Sequence, residues 1–413
     1  MRSTRRAVLG ACSALTLVAV WTAAPAGAAE MKAEVLHWWT SGGESAAVKV
    51  FAERFQAAGG TWVDTAIAGG QNARTAGINR IVGGNPPTAM QFNTGKQFDE
   101  LVSDGLLNDV ESVAEAAKLR QVLPPAIVDA VTRNGKFYAI PVNIHGIDWL
   151  WYNKKDFDQA GLSEPKTWAD VAAAGEKLKA QGLIGLAQGG QPWQERTLFN
   201  SVLVGEGGTD LYDQIYRDKK LDAVKGPKFR EAADLYKKLH DLVDPGSPGR
   251  NWNDATSLVI TGKAGMQLMG DWAKGEFSAA GLTPGKDYGC AVVGEGGYLM
   301  GGDVFVFPKG GDRAVQAKLA SVMIAPETQI AFNEKKGSVP ARLDVDVSGM
   351  DACAQKGVAA LRDPKRQVPT TDFLISPDLS GALDDVITQY WNNAGMTTDE
   401  FVAKFVEAFE SAS

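Results

Sequence analysis

The sequence predicts an α/β protein of two lobes that are joined by several chain crossings. Three observations predict it: a length of 413 residues, a strand–helix–strand order near the start, and no Gly/Ser-rich or Pro-rich linker. A chain of this length exceeds one typical domain. Strand–helix alternation indicates parallel strands with right-handed crossovers. Because no linker separates the two halves, we expect more than one connection between the lobes.

The first lobe starts with alternating strands and helices. Residues 35–39 form an apolar run that predicts a buried strand, and helical spacing of apolar residues begins at Glu44 and ends at Gly59-Gly60. The next predicted elements, in order, are a strand over 62–67, a helix over 72–82 and a strand over 88–92. This order places the start of the chain in a parallel sheet.

The rest of the chain is richer in helices. Residues 136–152 are extended and aromatic, and strand-like runs return at 264–269 and 304–307. Helical spacing predicts helices over 168–179, 195–204, 229–242, 254–261, 326–332 and 400–409. This mixture is consistent with a second α/β lobe.

Composition excludes several classes of function. With 42 Lys+Arg against 49 Asp+Glu the net charge is -7, which disfavours nucleic acid and anionic membranes as partners because phosphate binding needs a basic face. Three histidines and the absence of phosphate-loop, dinucleotide, zinc-protease and hydrolase-elbow motifs predict no metal and no cofactor. Eleven tryptophans against eight tyrosines suit a protein that stacks on a flat, uncharged ligand.

The N-terminus has the pattern of a secretory signal. Three arginines within the first six residues precede an apolar run over 7–21 and small residues up to 29. We therefore predict a signal peptide over 1–29, cleaved near Ala28 to Glu30, and export to the periplasm. Arg5-Arg6 leaves the twin-arginine route open. No later run is apolar enough to span a membrane.

Cleavage there would leave two cysteines, Cys290 and Cys353. In an oxidising compartment a disulfide between them is the default expectation. Two separately buried thiols remain the alternative.

Tryptophans at strand ends and near turns are the first candidates for a ligand site. Trp38 and Trp39 end the predicted first strand. We expect one of them to enter the core and the other to project at the edge that binds ligands in open α/β sheets. Trp193 and Gln194 are interpreted as loop residues, and Trp272 follows an aspartate. Aromatic rings beside amides and carboxylates are typical of sugar sites.

Carboxylates keep an enzyme open as the alternative. Glu44, Asp271, Asp303 and Asp372 fall at predicted strand–helix junctions or loops, where a secreted glycoside hydrolase or polysaccharide lyase could pair an acid with a nucleophile. Glu44 with Asp303 is the candidate pair. A receptor domain for chemotaxis or adhesion would share the same sequence features.

Six blocks of the chain resemble one family over nearly the whole mature length. They are Val35–Glu44, Ile140–His145, Trp149–Lys154, Gly189–Gln194, Met269–Phe277 and Lys336–Arg342. The chain resembles the extracellular solute-binding proteins of carbohydrate ABC transporters (the family 1 sugar-binding proteins), specifically their glucose/mannose-binding branch.

This resemblance implies the two-lobed periplasmic-binding-protein (clamshell) fold with discontinuous lobes. Residues 30–142 with about 303–345 would form the N-terminal lobe, and 143–302 with about 346–413 the C-terminal lobe. The protein would be a monomer without enzymatic activity. It would close around one glucose-like monosaccharide and deliver it to the permease subunits of the transporter.

The resemblance also implies a set of ligand-binding residues. Trp38 and Trp39 would form a platform opposite Trp272, while Glu44, Asp303 and Lys336 would bind hydroxyl groups. The full set is Trp38, Trp39, Glu44, Asn93, Trp193, Gln194, Trp272, Asp303, Lys336 and Asp372. Two departures matter: Gly146 stands where relatives usually carry Arg, and Thr371 or Asp372 would replace a sugar-contacting His.

Overall fold

The computed structural model describes residues 31–294 and 296–411, so the predicted signal peptide and its cleavage site lie outside the described residues. The chain from Met31 onward forms one compact unit. Among the residues described, none of the helices combines the length and the apolar character needed to cross a bilayer.

Strands and helices alternate along the chain, as predicted. The strands are β1 (Lys32–His37), β2 (Thr61–Ala66), β3 (Ala89–Asn93), β4 (Leu107–Asn108), β5 (Thr132–Arg133), β6 (Lys136–Phe137), β7 (Ala139–Pro141), β8 (His145–Gly146), β9 (Trp149–Asn153), β10 (Ile184–Leu186), β11 (Ala264–Leu268), β12 (Tyr288–Val292), β13 (Tyr298–Gly301), β14 (Asp303–Pro308) and β15 (Gln367–Pro369).

The helices are α1 (Gly42–Ala57), α2 (Gly70–Val82), α3 (Asp99–Ser103), α4 (Glu111–Ala116), α5 (Leu119–Val122), α6 (Pro125–Val131), α7 (Lys154–Ala160), α8 (Trp168–Ala180), α9 (Pro192–Gly207), α10 (Thr209–Tyr216), α11 (Pro227–Leu239), α12 (Trp252–Ile260), α13 (Ala273–Ala279), α14 (Arg313–Ile324), α15 (Pro326–Lys336), α16 (Ala352–Leu361), α17 (Thr371–Leu374), α18 (Pro377–Asn392) and α19 (Thr398–Ser411). Short 3₁₀ turns lie at Leu221–Ala223 and His240–Leu242.

The first sheet has six strands in the order β2-β1-β3-β14-β4, with β7 also paired to β14. Strand β1 runs parallel to β2 and β3, which confirms the predicted parallel start. Strand β14 enters from much later in the chain and runs antiparallel to β3, β4 and β7. This insertion brings the start of β14 beside the carboxyl end of β3, where the first candidate ligand residues lie.

Two further sheets form from the middle of the chain. One has the order β10-β11-β9-β12, and the other has the order β15-β13-β8. Strand β9 lies antiparallel to both β11 and β12. The aromatic run predicted to be extended therefore supplies a central strand.

The chain passes between the six-stranded sheet and the other sheets at more than one place, as expected from the missing linker. It leaves after Pro141 and returns at Asp303, since β7 and β14 pair in the first sheet while β8 and β13 pair in another. It leaves again after α15, where a β-bridge joins Ile144 to Val339. The crossings therefore run side by side.

Two aromatic cores support these sheets. In the first, Trp39 packs on Phe51, Phe305 and Phe332, and the last ring stacks on Phe51 with centroids 4.3 Å apart. The second core is built around helices α9, α11, α18 and α19. Each core buries large rings, which supply much of the apolar area removed from water.

The disulfide between Cys290 and Cys353 is present, as predicted. It joins β12 to the first turn of α16, the helix that follows the last of these crossings.

Candidate functional site

A cluster of buried polar side chains lies where the chain crossings meet, within an otherwise apolar interior. Asp303 is the first residue of β14 and pairs in register with Asn93 of β3. His145 begins β8, directly after the crossing from β7. Asp271 follows β11. Three segments that are far apart in sequence thus bring ionisable groups to one point.

Asp303 is almost fully bonded. Its Oδ1 accepts from Gln91 Nε2 at 2.9 Å, and its Oδ2 accepts from Asn143 Nδ2 at 2.8 Å. His145 Nε2 lies 2.9 Å from the same Oδ2. Burial raises the pKa of Asp303, but the bond and charge of His145, with the charge of Lys336, outweigh it and lower the pKa overall. Asp303 is therefore an ionised acceptor at neutral pH.

His145 has a carboxylate at each ring nitrogen. Nε2 contacts Asp303 and Nδ1 contacts Asp271, whose Oδ2 also accepts from the Gly146 N–H at 2.9 Å. Burial lowers the pKa of His145, but the two carboxylates more than compensate and raise it above its usual value. The edge of this imidazole meets Trp272 with ring centroids 4.9 Å apart.

Lys336 ends α15 and places its ammonium group between the two halves of the candidate site. Nζ lies 3.3 Å from Glu44 Oε1, 5.6 Å from the Trp272 ring centroid and 5.7 Å from the Trp39 ring centroid. Lys336 is only 2% exposed, so its charge is offset by this carboxylate and by the faces of the two rings.

Glu44 is held by the start of α1. The Ser41 hydroxyl accepts from the Glu44 N–H, and the Glu44 carboxylate accepts from the Ser41 N–H, which forms a capping box. Because Oε2 is used by Ser41 and Oε1 by Lys336, the carboxylate is fixed in direction.

The two strand-end tryptophans have separate roles. Trp39 is 1% exposed and belongs to the first core, so the structure does not offer it as an open platform. Trp38 is partly exposed, and its backbone N–H donates to Gln91 Oε1. Both tryptophans follow β1, which ends at His37, so the prediction that they end this strand is wrong by two residues; the chain there buries Trp39 and leaves Trp38 partly exposed.

Trp193 and Gln194 lie in a helix, so the interpretation of a loop at these positions is wrong. They occupy the first turn of α9, which starts at Pro192, a residue well suited to the first helical position. Gln194 is fully buried and donates to Gln191 Oε1 and to the Arg250 carbonyl. The Trp193 ring remains partly exposed, with its centroid 6.1 Å from that of Trp272.

Asn93 and Asp372 bond to each other. Asn93 Nδ2 donates to Asp372 Oδ2 at 3.0 Å, and Gln97 Nε2 donates to Oδ1 at 3.3 Å. The structure therefore brings these two predicted residues together from opposite ends of the chain.

Sequence reasoning missed several members of the cluster. Gln91 and Asn143 hold Asp303, and their signal is a polar residue inside an apolar strand or crossing. Arg74 on α2 was also missed: its guanidinium lies 5.8 Å from the Trp38 ring centroid, and burial lowers its pKa although Asp372 opposes this. A single arginine on a helix gives no sequence signal of its own.

Gly146, the first departure from the resemblance, has a steric cause. A Cβ at this position would lie 2.1 Å from Tyr298 Oη and 2.5 Å from Trp149 Nε1. The buried Tyr298 and Trp149 rings thus occupy the space that a side chain would need. Over the described ranges, His, Cys, Asp and Glu form no group of three or more that could hold a metal ion.

The fold is that of the two-lobed ligand-binding proteins. Residues 39–330 match the family model described as bacterial extracellular solute-binding protein. This chain belongs to that family, and its α/β fold is the two-lobed fold of the periplasmic sugar-binding proteins.

Related proteins extend the match to nearly the full length. A probable sugar-binding periplasmic protein of Rhizobium meliloti is 38% identical, over 96% of this chain and 98% of its own. The solved bacterial solute receptor AcbH, described as having an exclusive preference for β-D-galactopyranose, superimposes with a TM-score of 0.79 at 19% identity, covering 92% of this chain and 98% of its own. A chitin oligosaccharide binding protein gives 0.76 at 20% identity, with the same coverage.

Proposed function

We propose that this protein is the ligand-capturing component of a sugar ABC importer in the periplasm. The observation that carries the proposal is the cluster at the chain crossings: Trp272, Lys336, Glu44 and Asp303 come together from four separate segments. Family membership and the probable sugar-binding role of the Rhizobium meliloti relative support the ligand class.

The lobes are proposed to follow the crossings. An N-terminal lobe of 30–142 with about 303–345 contains the six-stranded sheet and the β5-β6 pair. A C-terminal lobe of 143–302 with about 346–413 contains the β10-β11-β9-β12 and β15-β13-β8 sheets. Each boundary falls at a passage between sheets, which supports this division. Ligand would shift the equilibrium toward the closed form by its higher affinity for that form.

The ligand is proposed to be one glucose-like monosaccharide, as for the glucose/mannose-binding branch. Trp38 and Trp272 offer partly exposed rings for the C–H face of a sugar, and carboxylates and an ammonium group are available for its hydroxyls. Three charge-assisted hydrogen bonds of about 1.5–3 kcal/mol each, with one stacked ring, supply the roughly 8 kcal/mol of a micromolar complex.

A glycosidase using Glu44 and Asp303 is less well supported. A general acid needs a raised pKa, whereas the pKa of Asp303 is lowered by its buried partners. Both oxygens of Glu44 already accept hydrogen bonds within the protein, from Ser41 and from Lys336. Both groups suit binding better than proton transfer.

Isothermal titration of the mature protein with a panel of monosaccharides tests the proposal. We expect binding with 1:1 stoichiometry and recovery of unchanged sugar after overnight incubation. Cleavage of a glycoside would favour the enzyme instead. Absence of binding to every sugar in the panel would contradict a sugar carrier.

Trp272→Ala tests the site itself. Removing the indole deletes the stacked face, so we expect sugar affinity to fall about 10-fold or more. Trp62→Ala is the matched control, because Trp62 lies on edge strand β2, where its Nε1 donates to Asp64. Equal affinity in the two variants would show that the platform is misplaced.

A further inference from the structure

His145 has bonding that the proposed function does not explain. It is 4% exposed, and each ring nitrogen faces a carboxylate oxygen from a different segment. Asp303 belongs to the six-stranded sheet, while Asp271 follows β11 of the four-stranded sheet. The ring therefore links the two sheets beside the chain crossings.

Donor counting determines the charge of this ring. An ionised carboxylate only accepts hydrogen bonds, and a neutral imidazole has a single N–H. Two carboxylates at Nδ1 and Nε2 therefore require both nitrogens to carry hydrogen, as in the imidazolium. The Asn143 amide, 3.1 Å from Nε2, carries two N–H groups, one of which donates to Asp303 Oδ2 at 2.8 Å. The same Oδ2 lies closer to Nε2, at 2.9 Å, and this contact between an acceptor oxygen and Nε2 is the one that calls for a hydrogen on Nε2.

The same count leaves Asp303 with one unused hydrogen-bond acceptor site. Its two oxygens have about four lone-pair sites. Gln91, Asn143 and His145 occupy three of them. One acceptor site remains for a ligand hydroxyl, and its direction is set by the three donors.

We propose that His145 is a positioning residue for sugar binding: as an imidazolium bonded through both nitrogens, it ties Asp303 to Asp271 and aims the remaining acceptor of Asp303 at the ligand. This inference rests on the proposed sugar-binding function. Loss of the ring proton would leave one carboxylate contact as two facing lone pairs, so the tie would open and affinity would fall.

Other titratable groups lie near His145, and their titration has to be distinguished from that of its ring. The charge of Asp271 raises the pKa of both Asp148 and Tyr298, and burial is the main reason why the pKa of Asp148 rises to about 7. Lys336 lowers the pKa of Asp303 from the other side. Asp148→Asn removes the group that titrates near neutrality while leaving both carboxylates of His145 in place.

The direct test is ¹⁵N NMR of the histidine side chains in the full mature protein between pH 5 and 10. The spectrum of His145→Gln assigns the His145 signals, and His240 is an internal comparison because burial lowers its pKa. We expect both nitrogens of His145 to be protonated at pH 7, with a titration midpoint above that of His240. A neutral His145 ring at pH 7 would overturn the proposal.

The functional test is sugar affinity across the same pH range, measured in an Asp148→Asn background. In the Asp148→Asn protein we expect sugar affinity to fall at alkaline pH. Adding His145→Gln should weaken binding about 10-fold and make the affinity independent of pH. An unchanged pH profile in His145→Gln would reduce His145 to a structural residue and refute the inference.

Asp271→Asn covers the case in which His145→Gln does not fold. It keeps the shape of Asp271 but removes one charge, so the His145 midpoint should move down by about one pH unit or more. An unchanged His145 titration midpoint in this variant would contradict the proposed bonding of His145 to both Asp271 and Asp303. If the wild-type protein binds no sugar, the proposed function fails, and the ring titration still decides the bonding of His145.

Discussion

Removing the disulfide gives a prediction whose magnitude follows from chain length. Cys290 and Cys353 are 63 residues apart, and both are buried. In the chain-entropy model a closed loop of this length restricts the unfolded state by about 4 kcal/mol. The double variant Cys290→Ala/Cys353→Ala should therefore lower the free energy of unfolding by about 4 kcal/mol.

The loop closed by this disulfide contains β13, β14, α14 and α15, and hence Asp303 and Lys336 of the candidate site. Without the bond, α16 is attached to β12 only through packing and through the bond from Lys356 Nζ to the Cys290 carbonyl. The helix that follows the last crossing thus loses its covalent anchor.

The assay is equilibrium urea unfolding of the mature protein, followed by tryptophan fluorescence and by circular dichroism. The single variant Cys353→Ala is the control, since it opens the same loop with one substitution and should lose a similar free energy. A double variant within about 1 kcal/mol of the oxidised wild type would refute the loop-entropy reasoning.

The remaining predictions concern the candidate site. Lys336→Met leaves the Glu44 carboxylate buried without its cation, so stability should fall by about 3–5 kcal/mol, measured by urea unfolding. Adding Glu44→Gln should recover part of that loss, and strictly additive effects would show that the pair is not coupled. Gly146→Ala should lower the melting temperature, because its Cβ would lie 2.1 Å from Tyr298 Oη, with a cost of about 1–3 kcal/mol. An unchanged melting temperature would mean that this tyrosine can move aside.

Local patterns predicted the first three strands and several of the longer helices, but they missed α10, α14, α16 and α18. The helix from Glu44 to Gly59 is found as Gly42–Ala57, and the strand of 304–307 as Asp303–Pro308. The sequence interpretation is wrong at Trp193 and Gln194, because Gly189-Gly190-Gln191-Pro192 predicts a loop that continues into the following residues, whereas α9 starts at Pro192. Proline at the first position of a helix looks like a turn when only its neighbours are considered.

The candidate site was predicted as a set of residues, without its internal bonds. Sequence alternation indicated that one of Trp38 and Trp39 is a core residue, and the packing of Phe51, Phe305 and Phe332 selected Trp39. Similarly, the sequence indicated Asn93 and Asp372 as separate contacts, whereas the structure bonds them to each other.

The sequence by itself determined the α/β class and the strand–helix order at its start, because periodicity and composition are local properties. It predicted a disulfide between Cys290 and Cys353 only as the default, and the tertiary structure decided it. Only the tertiary structure decided that Lys336 meets Glu44 and that His145 lies between Asp271 and Asp303. These partners are separated by 292, 126 and 158 residues. Contacts over such distances depend on how the crossings stack the sheets, and that arrangement is a property of the whole packed chain.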